Sequence, residues 1–407
     1  LRASASNLPS TIIALFVSAA PIAAVRPAAG EADALPPTPL DSFYEEHPEW
    51  TSRPGGGYKP YRRAGWFMEA RQGPPGVSTA RLRAEALDEG TARTARLRGT
   101  PPAWFSTGPH TLSGRCTSIA FDPTDAAIVY VGTAGGGLWK STDAGSSWAP
   151  LTDFETSLSI GAVAVLPWNP SIVLAGTGDG NYVSFGGNLL DPFGVGMLRS
   201  TDAGATWGPT SLQYPESGTH GFNAIAPGSS GTVLAGANDG LWRSTDDGAT
   251  WTRTVSTGNV MDVAWKPGSA SRVYIAKCND PFVTSIADAG VHVSTDAGLT
   301  FSRVGSGQPP SGLVGHTRLA TTAANPAYVY ANVVNLATSG TLGIYRSTDD
   351  GATWSPQNTT LNMTAAQGWF DLSLVADPDD AEKVLAGGVS LYRSTNGGVV
   401  LLPVGSV

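Results

Sequence analysis

An all-β ring of four-stranded blades, six of them apparent, is the fold this sequence predicts. Three observations carry that prediction. A Ser-Thr-Asp unit returns at intervals close to one blade of chain, and apolar strand-like runs precede each copy. The composition also holds Gly 50 and Pro 30 with only 14% charged residues, which suits short strands and tight turns better than helices.

The clearest copy is Ser141-Thr142-Asp143-Ala144-Gly145-Ser146-Ser147-Trp148. It returns at 200–207, 244–251, 294–301 and 347–354, and a decayed copy, Ser394-Thr395-Asn396-Gly397-Gly398, lacks the aromatic residue. Asp143, Asp202, Asp246, Asp296, Asp349 and Asn396 are spaced 59, 44, 50, 53 and 47 residues apart, about the length of a propeller blade. Ahead of each copy the chain reads as an inner strand, a Pro-containing turn, a second strand, a Gly-rich loop and a third strand. Asp122-Pro123, Asn169-Pro170, Asn325-Pro326 and Asp377-Pro378 start turns, because a residue before proline avoids the helical region. Near-continuous Val/Ile/Ala runs suit strands covered on both faces.

The repeated unit predicts a structural staple. Its Asp can accept backbone amides one to three residues on, and its Gly supplies a positive φ. The aromatic residue (Trp148, Trp207, Trp251, Phe301 or Trp354) starts an outer strand and buries a large surface between blades. The six Asp/Asn positions are therefore read as architecture and set aside as catalytic groups.

Three regions follow. Residues 1–29 read as a signal peptide, because Thr11–Val25 is apolar, uncharged and shorter than the ~20 residues that span a bilayer. Residues 30–102 form a Pro/Arg-rich leader, with a short helix expected between Ser78 and Arg98. Residues 103–407 are the propeller. Trp104–Pro109 reads as an outer strand completing the last blade and closing a six-bladed ring; a fragment of a larger ring is the other reading. Cys116 and Cys278 read as two buried small apolar side chains, free of metal-type spacing.

Charge excludes some functions. Residues 1–100 carry 12 Lys/Arg against 10 Asp/Glu, leaving about −10 on the rest of a chain whose net charge is −8. An acidic repeat region is a poor match for nucleic acid or an anionic membrane. No phosphate-cradling loop, His/Cys metal cluster or nucleophile elbow is present in the sequence, so no cofactor and no metal are expected.

The unit Ser-x-Asp-x-Gly-x-x-Trp resembles the Asp-box, or bacterial neuraminidase repeat, shared by sialidases, sortilin-type receptors, xyloglucanases and photosystem II assembly factors. The stretch FDPTDAAIVYVGT followed by GGGLWKSTDAGSSW most resembles sortilin-like propellers in exported bacterial proteins. The resemblance implies a propeller of the exo-sialidase-like superfamily, exported to the periplasm, medium or cell surface. The sialidase Tyr/Phe-Arg-Ile-Pro motif is absent. Where xyloglucanases resemble one another in Thr-Asp-x-Gly-Gly, this chain has Thr133-Ala134-Gly135-Gly136-Gly137. Both enzyme types are thereby disfavoured at this stage.

Loops between second and third strands, and between blades, are expected on the face opposite the Asp-box turns. That face gathers Asp153, Glu155, Asp179, Tyr182, Phe185, Asp191, Phe193, Glu216, His220, Asp280, Asp288 and His316. Aromatic side chains beside carboxylates suit a sugar cleft or a protein-binding rim. The reading favoured is a non-catalytic exported module recognising a peptide or glycan at the channel mouth. The alternative is a glycoside hydrolase using two carboxylates, for which Asp179 and Glu216 are the candidate pair.

Overall fold

A computed structural model describes residues 45, 48, 85–89, 115–180, 194–215, 220–229, 231–279, 286–303 and 305–404. The expected signal peptide lies outside these residues. Of the helix expected between 78 and 98, residues 85–89 are described and are helical.

Among the described residues, twenty-four strands form six antiparallel four-stranded sheets, each consecutive in sequence, and the chain is a β-propeller as expected. Blade 1 comprises β1 (Cys116–Phe121), β2 (Val129–Thr133), β3 (Leu138–Ser141) and β4 (Ala149–Pro150). Blade 2 comprises β5 (Ile160–Leu166), β6 (Asn169–Thr177), β7 (Gly196–Ser200) and β8 (Gly208–Gln213). Blade 3 comprises β9 (Phe222–Pro227), β10 (Val233–Ala237), β11 (Gly240–Ser244) and β12 (Thr252–Val255). Blade 4 comprises β13 (Asn259–Trp265), β14 (Val273–Cys278), β15 (Gly290–Ser294) and β16 (Ser302–Arg303). Blade 5 comprises β17 (Val314–Thr321), β18 (Val329–Asn335), β19 (Thr341–Ser347) and β20 (Ser355–Asn358). Blade 6 comprises β21 (Ser373–Ala376), β22 (Val384–Gly387), β23 (Leu391–Ser394) and β24 (Leu402–Pro403).

Inner strands are apolar because neighbours cover both of their faces. Every residue of β5 (IGAVAVL) and of β14 (VYIAKC) is buried. Apolar cores then join successive blades. Tyr130 and Leu138 meet Ile160 and Val163 between blades 1 and 2, and Leu174 meets Val233 and Trp251 between blades 2 and 3. Leu234 meets Val263 and Ile275 between blades 3 and 4. Tyr274 meets Val329 and Trp354 at the next junction, and Tyr330 meets Leu374 and Val384 at the last of the five.

The Ser-Thr-Asp turns between third and fourth strands are hydrogen-bonded alike. In blade 1 the Ser141 hydroxyl donates to Asp143 Oδ1 (2.8 Å) and accepts from the Gly145 amide (2.8 Å). Asp143 Oδ1 also accepts from the Ser147 amide (2.8 Å), while Oδ2 accepts from the Ser147 hydroxyl (2.6 Å). The carboxylate thus reaches four residues on, one residue further than expected, because it spans the whole hairpin. The hydroxyl and amide donated at that fourth position pull the Asp143, Asp202 and Asp296 carboxyls down to about 2. Gly145 adopts the expected positive φ (89°), and Ala144 before it is also left-handed (φ 56°).

That left-handed residue has a use between blades. Its carbonyl turns outward to meet the preceding blade: Tyr130 and Lys140 both donate to Ala203 O at 2.9 Å. Arg199 donates to Asp247 O at 2.9 Å and Arg243 to Ala297 O at 2.8 Å.

Two expectations need correcting. The outer position of blade 6 belongs to β24, with Leu402 opposite Arg393 and Pro403 opposite Tyr392, so Trp104–Pro109 is not needed to complete that blade. That segment itself lies outside the described residues. Cys116 is exposed at the start of β1, whereas Cys278 is buried and its thiol is pushed up to about 12 by burial; both are free.

Candidate functional site

Inner strands begin, and second strands end, on the face opposite the Ser-Thr-Asp turns. There the blades diverge in sequence, and a charged cluster gathers from blades 1, 2, 5 and 6. Arg115, immediately before β1, ion-pairs with Asp179, which follows β6 and is 2% exposed. The same guanidinium stacks over the Phe370 ring, 4.6 Å from its centroid.

Local backbone geometry explains how Asp179 arrives there. Gly178 takes a positive φ (80°) and its carbonyl accepts from the Phe222 amide at 3.1 Å, bending the chain across the top of blade 3. Asp179 then bridges to Phe222. A side chain on Gly221 would strike the backbone at 178–180, so the close approach requires glycine.

On blade 6, a turn before β21 carries Trp369, Phe370 and Asp371. It is closed by Phe370 and Asp371 amides donating to Gln367 O at 2.8 and 2.9 Å. Burial raises the Asp371 carboxyl, and the Arg115 charge offsets part of that rise. His316 on β17 is buried beneath this turn and hydrogen-bonds to the Trp369 backbone. Burial, aided by the Arg318 charge, pushes its imidazole down to about 4, so it is neutral at pH 7. Deeper in the channel, Arg318 donates to Met261 O (2.8 Å) and its charge favours ionisation of Asp262, whose carboxyl burial nevertheless raises.

The other expected site residues divide. Asp153 and Glu155 flank Phe154, which projects 87% exposed, while burial raises the Glu155 carboxyl. His220 stacks on Tyr214 (ring centroids 4.0 Å apart) beside Asp239, which accepts from Tyr214 at 3.1 Å and from Trp242 at 3.2 Å. Asp288 accepts twice from buried Lys277, at 2.9 Å each, and is thereby committed to a structural pair. Tyr182, Phe185, Asp191, Phe193, Glu216 and Asp280 lie outside the described residues. Among the described residues, no three His, Cys, Asp or Glu side chains are grouped to hold a metal ion, and no helix is long and apolar enough to cross a membrane.

Asp371, Trp369 and Phe370 were missed from sequence. Their signal was Gly-Trp-Phe-Asp just ahead of an inner strand, the same station that Arg115 occupies ahead of β1. Ala134, judged above by its side chain, stands at this mouth too: its amide donates to Arg115 O at 3.1 Å.

Fold and mouth together define a six-bladed propeller with an arginine–carboxylate cluster at one end of its channel. No protein-family model matches the chain. A xyloglucanase of Paenibacillus sp is 26% identical over 325 residues, covering 75% of this chain and 27% of that protein. A xyloglucanase of Hypocrea jecorina is 27% identical over 337 residues, covering 72% of this chain and 38% of that protein. The chain thus spans well under half the length of the curated relatives it matches. Among solved structures, the GH74 xyloglucanase from Xanthomonas campestris superposes with a TM-score of 0.53 at 22% identity, covering 72% of this chain and 45% of that one. That likeness is one of fold.

These matches overturn the expectation of a non-catalytic binding module, since the relatives are named as hydrolases. They equally overturn the setting aside of xyloglucanases.

Proposed function

We propose that this chain is an Asp-box propeller of an exported glycoside hydrolase acting on xyloglucan or a related β-glucan, with its working groups at the Arg115 mouth. The observation that carries the reading is that one guanidinium, Arg115, ion-pairs with Asp179 and also acts through its charge on Asp371. Hydrolysis of a glycosidic bond needs one carboxyl that donates a proton to the leaving oxygen and one carboxylate that activates water or attacks. Asp371, its carboxyl raised by burial, takes the acid role. Asp179, ion-paired with Arg115, takes the carboxylate role in place of Ala134 on the neighbouring blade. Phe154, Trp369 and Phe370 offer aromatic faces for pyranose rings. A polymeric substrate cannot cross a membrane, which fits export directed by residues 1–29.

The test is release of reducing ends from xyloglucan and from unbranched β-glucans. Asp179→Asn and Asp371→Asn should each cut the rate by about 10²–10⁴-fold; Asp371→Asn should leave the melting transition in place, whereas Asp179→Asn lowers it because the buried ion pair is lost. Absence of turnover in the parent chain, or full activity in both variants, rejects the assignment.

A further inference from the structure

All six Ser-Thr-Asp/Asn turns share one backbone bond, and the sixth makes it with a different pair of residues. The residue after each Asp or Asn is left-handed, with φ between 55° and 68°. Its amide donates to a carbonyl at or just before the second strand, at 2.8–3.1 Å. The pairs are Ala144 with Ala127, Ala203 with Ser171, Asp247 with Gly231, Ala297 with Ser271, Asp350 with Ala327, and Gly397 with Glu382. Five turns carry Asp followed by Ala or Asp. The sixth carries Asn396-Gly397, the one Asn-Gly pair in the sequence.

That pair has a reactivity the other five lack. The next residue's amide nitrogen can attack a carboxamide carbon and expel ammonia, whereas an ionised carboxylate is a poor target. Glycine has no Cβ to shield the attacking nitrogen, and asparagine is among the thermally labile residues. Asn396 Oδ1 accepts from the Ser394 hydroxyl and the Val400 amide at 2.9 Å each, an arrangement that also stabilises charge developing on that oxygen. Asn396 is exposed, and among the described residues its Nδ2 makes no hydrogen bond, so the leaving nitrogen is not held.

The nucleophile's own hydrogen bond holds the pair back. Gly397 is buried and its amide is committed to Glu382 O at 2.8 Å. Glu382 is fixed in turn from blade 5, where Arg346 donates to its two carboxylate oxygens at 3.0 and 2.8 Å. A side chain on Gly397 would strike both Arg346 and Glu382. This junction therefore requires glycine, and the requirement keeps the labile pair in place.

We propose that Asn396-Gly397 is a self-modification site, closed while the Gly397–Glu382 bond is made and reactive when the last hairpin of blade 6 opens. A bond forms between Gly397 N and Asn396 Cγ, and the Cγ–Nδ2 bond breaks. The amide proton passes through solvent to the leaving nitrogen, which departs as ammonia and leaves a cyclic imide. Water then opens the ring at one of its two carbonyls, giving an aspartyl or an isoaspartyl chain, and nothing is oxidised or reduced. The aspartyl form keeps an oxygen for Ser394 and Val400. The isoaspartyl form carries an extra backbone methylene, which displaces the carboxylate and prevents the turn from closing again. The inference does not rest on the glycosidase reading.

The test follows the full chain over time in mildly alkaline buffer, folded or unfolded in urea. Ammonia release and the mass of the peptide spanning Asn396 report conversion, and Asn396→Asp supplies the blank. Conversion at Asn396 should be slower by at least about tenfold in the folded chain than in the unfolded one. Arg346→Ala, which frees the Glu382 turn, should speed conversion in the folded chain by about threefold or more. Below the unfolding transition, conversion and hydrogen exchange of the Gly397 amide should rise in proportion with urea, a readout that stands even if Arg346→Ala does not fold. The isolated isoaspartyl form should melt below the parent chain. Absence of conversion in the unfolded chain overturns the site. Equal rates in folded and unfolded chains, a folded Arg346→Ala that converts at the parent rate, or conversion that stays constant while Gly397 exchange accelerates overturns the gate.

Discussion

The two ends of the channel are made by the same six blades yet follow different rules. At the turn end the serine hydroxyl meets its Asp or Asn partner at 2.7–2.9 Å in every blade. Along the mouth and channel the blades share no common pattern: Arg115, Asn223 and His316 come from blades 1, 3 and 5, and Asp179, Asp262 and Asp371, each in a different setting, from blades 2, 4 and 6. A hydrogen-bond set repeated six times serves the scaffold, which needs one solution at every blade. A substrate such as the one proposed has no sixfold symmetry, so the end proposed to contact it need not repeat. The difference teaches that chemistry belongs where the repeat is broken.

The comparison breaks most readily at Arg115. Arg115→Met takes the guanidinium from buried Asp179, and removing one partner of a buried pair typically costs about 3–5 kcal/mol. Because Arg115 also holds the Asp371 carboxyl down, its loss raises that group further. If Asp371 is the acid as proposed, the alkaline limb of the pH–rate profile, set by its deprotonation, should therefore move to higher pH. Urea unfolding and kcat/KM against pH measure both effects, and Arg115→Lys should recover most of each. An unmoved limb would detach Asp371 from the chemistry.

A turn-end variant should behave in the opposite way. The Ser244 hydroxyl donates to Asp246 at 2.8 Å and accepts from Gly248 at 3.0 Å, with Ser244 and Gly248 themselves buried. Ser244→Ala leaves those groups short of a partner and should cost about 1–3 kcal/mol. Its pH–rate profile should match the parent's. A shifted profile would show that the two ends communicate and that the division between scaffold and site is too sharp.

The same division explains what could be read from sequence. Blade number, strand order and turn positions were legible because each is stated six times and any one copy checks the others. The mouth is stated once. Asp179 was a candidate from the sequence, but its partner Arg115 lies 64 residues away and only ring curvature joins them. Asp371 escaped because three-residue turns before inner strands carry no common pattern. Cys116 was misjudged since burial at a strand's first residue depends on the neighbouring blade, which sequence does not display.

The finest distinction lies within the turn end, between the sixth turn and the other five. Asn396 Oδ1 keeps the serine bond (2.9 Å) and the Val400 amide (2.9 Å). In the other turns the second carboxylate oxygen accepts a hydroxyl from the fourth residue on, as Thr353 donates to Asp349 at 2.7 Å. Here that residue is Val400, so amide and valine replace carboxylate and hydroxyl together. Asn396→Asp alone gains no new donor and should change stability by under about 0.5 kcal/mol. Paired with Val400→Thr it restores the missing bond and should add about 0.5–1.5 kcal/mol near neutral pH. The restored carboxyl should be lowered in the folded chain as its counterparts are, to about 2 in Asp143, Asp202 and Asp296. A group depressed on folding stabilises above its unfolded value near ~4 and loses that contribution as pH falls through its folded value. The gain of the double variant should therefore be full at pH 6 and gone by about pH 2. A gain that persists unchanged in acid would assign it to the threonine methyl and leave the sixth turn no worse for its asparagine.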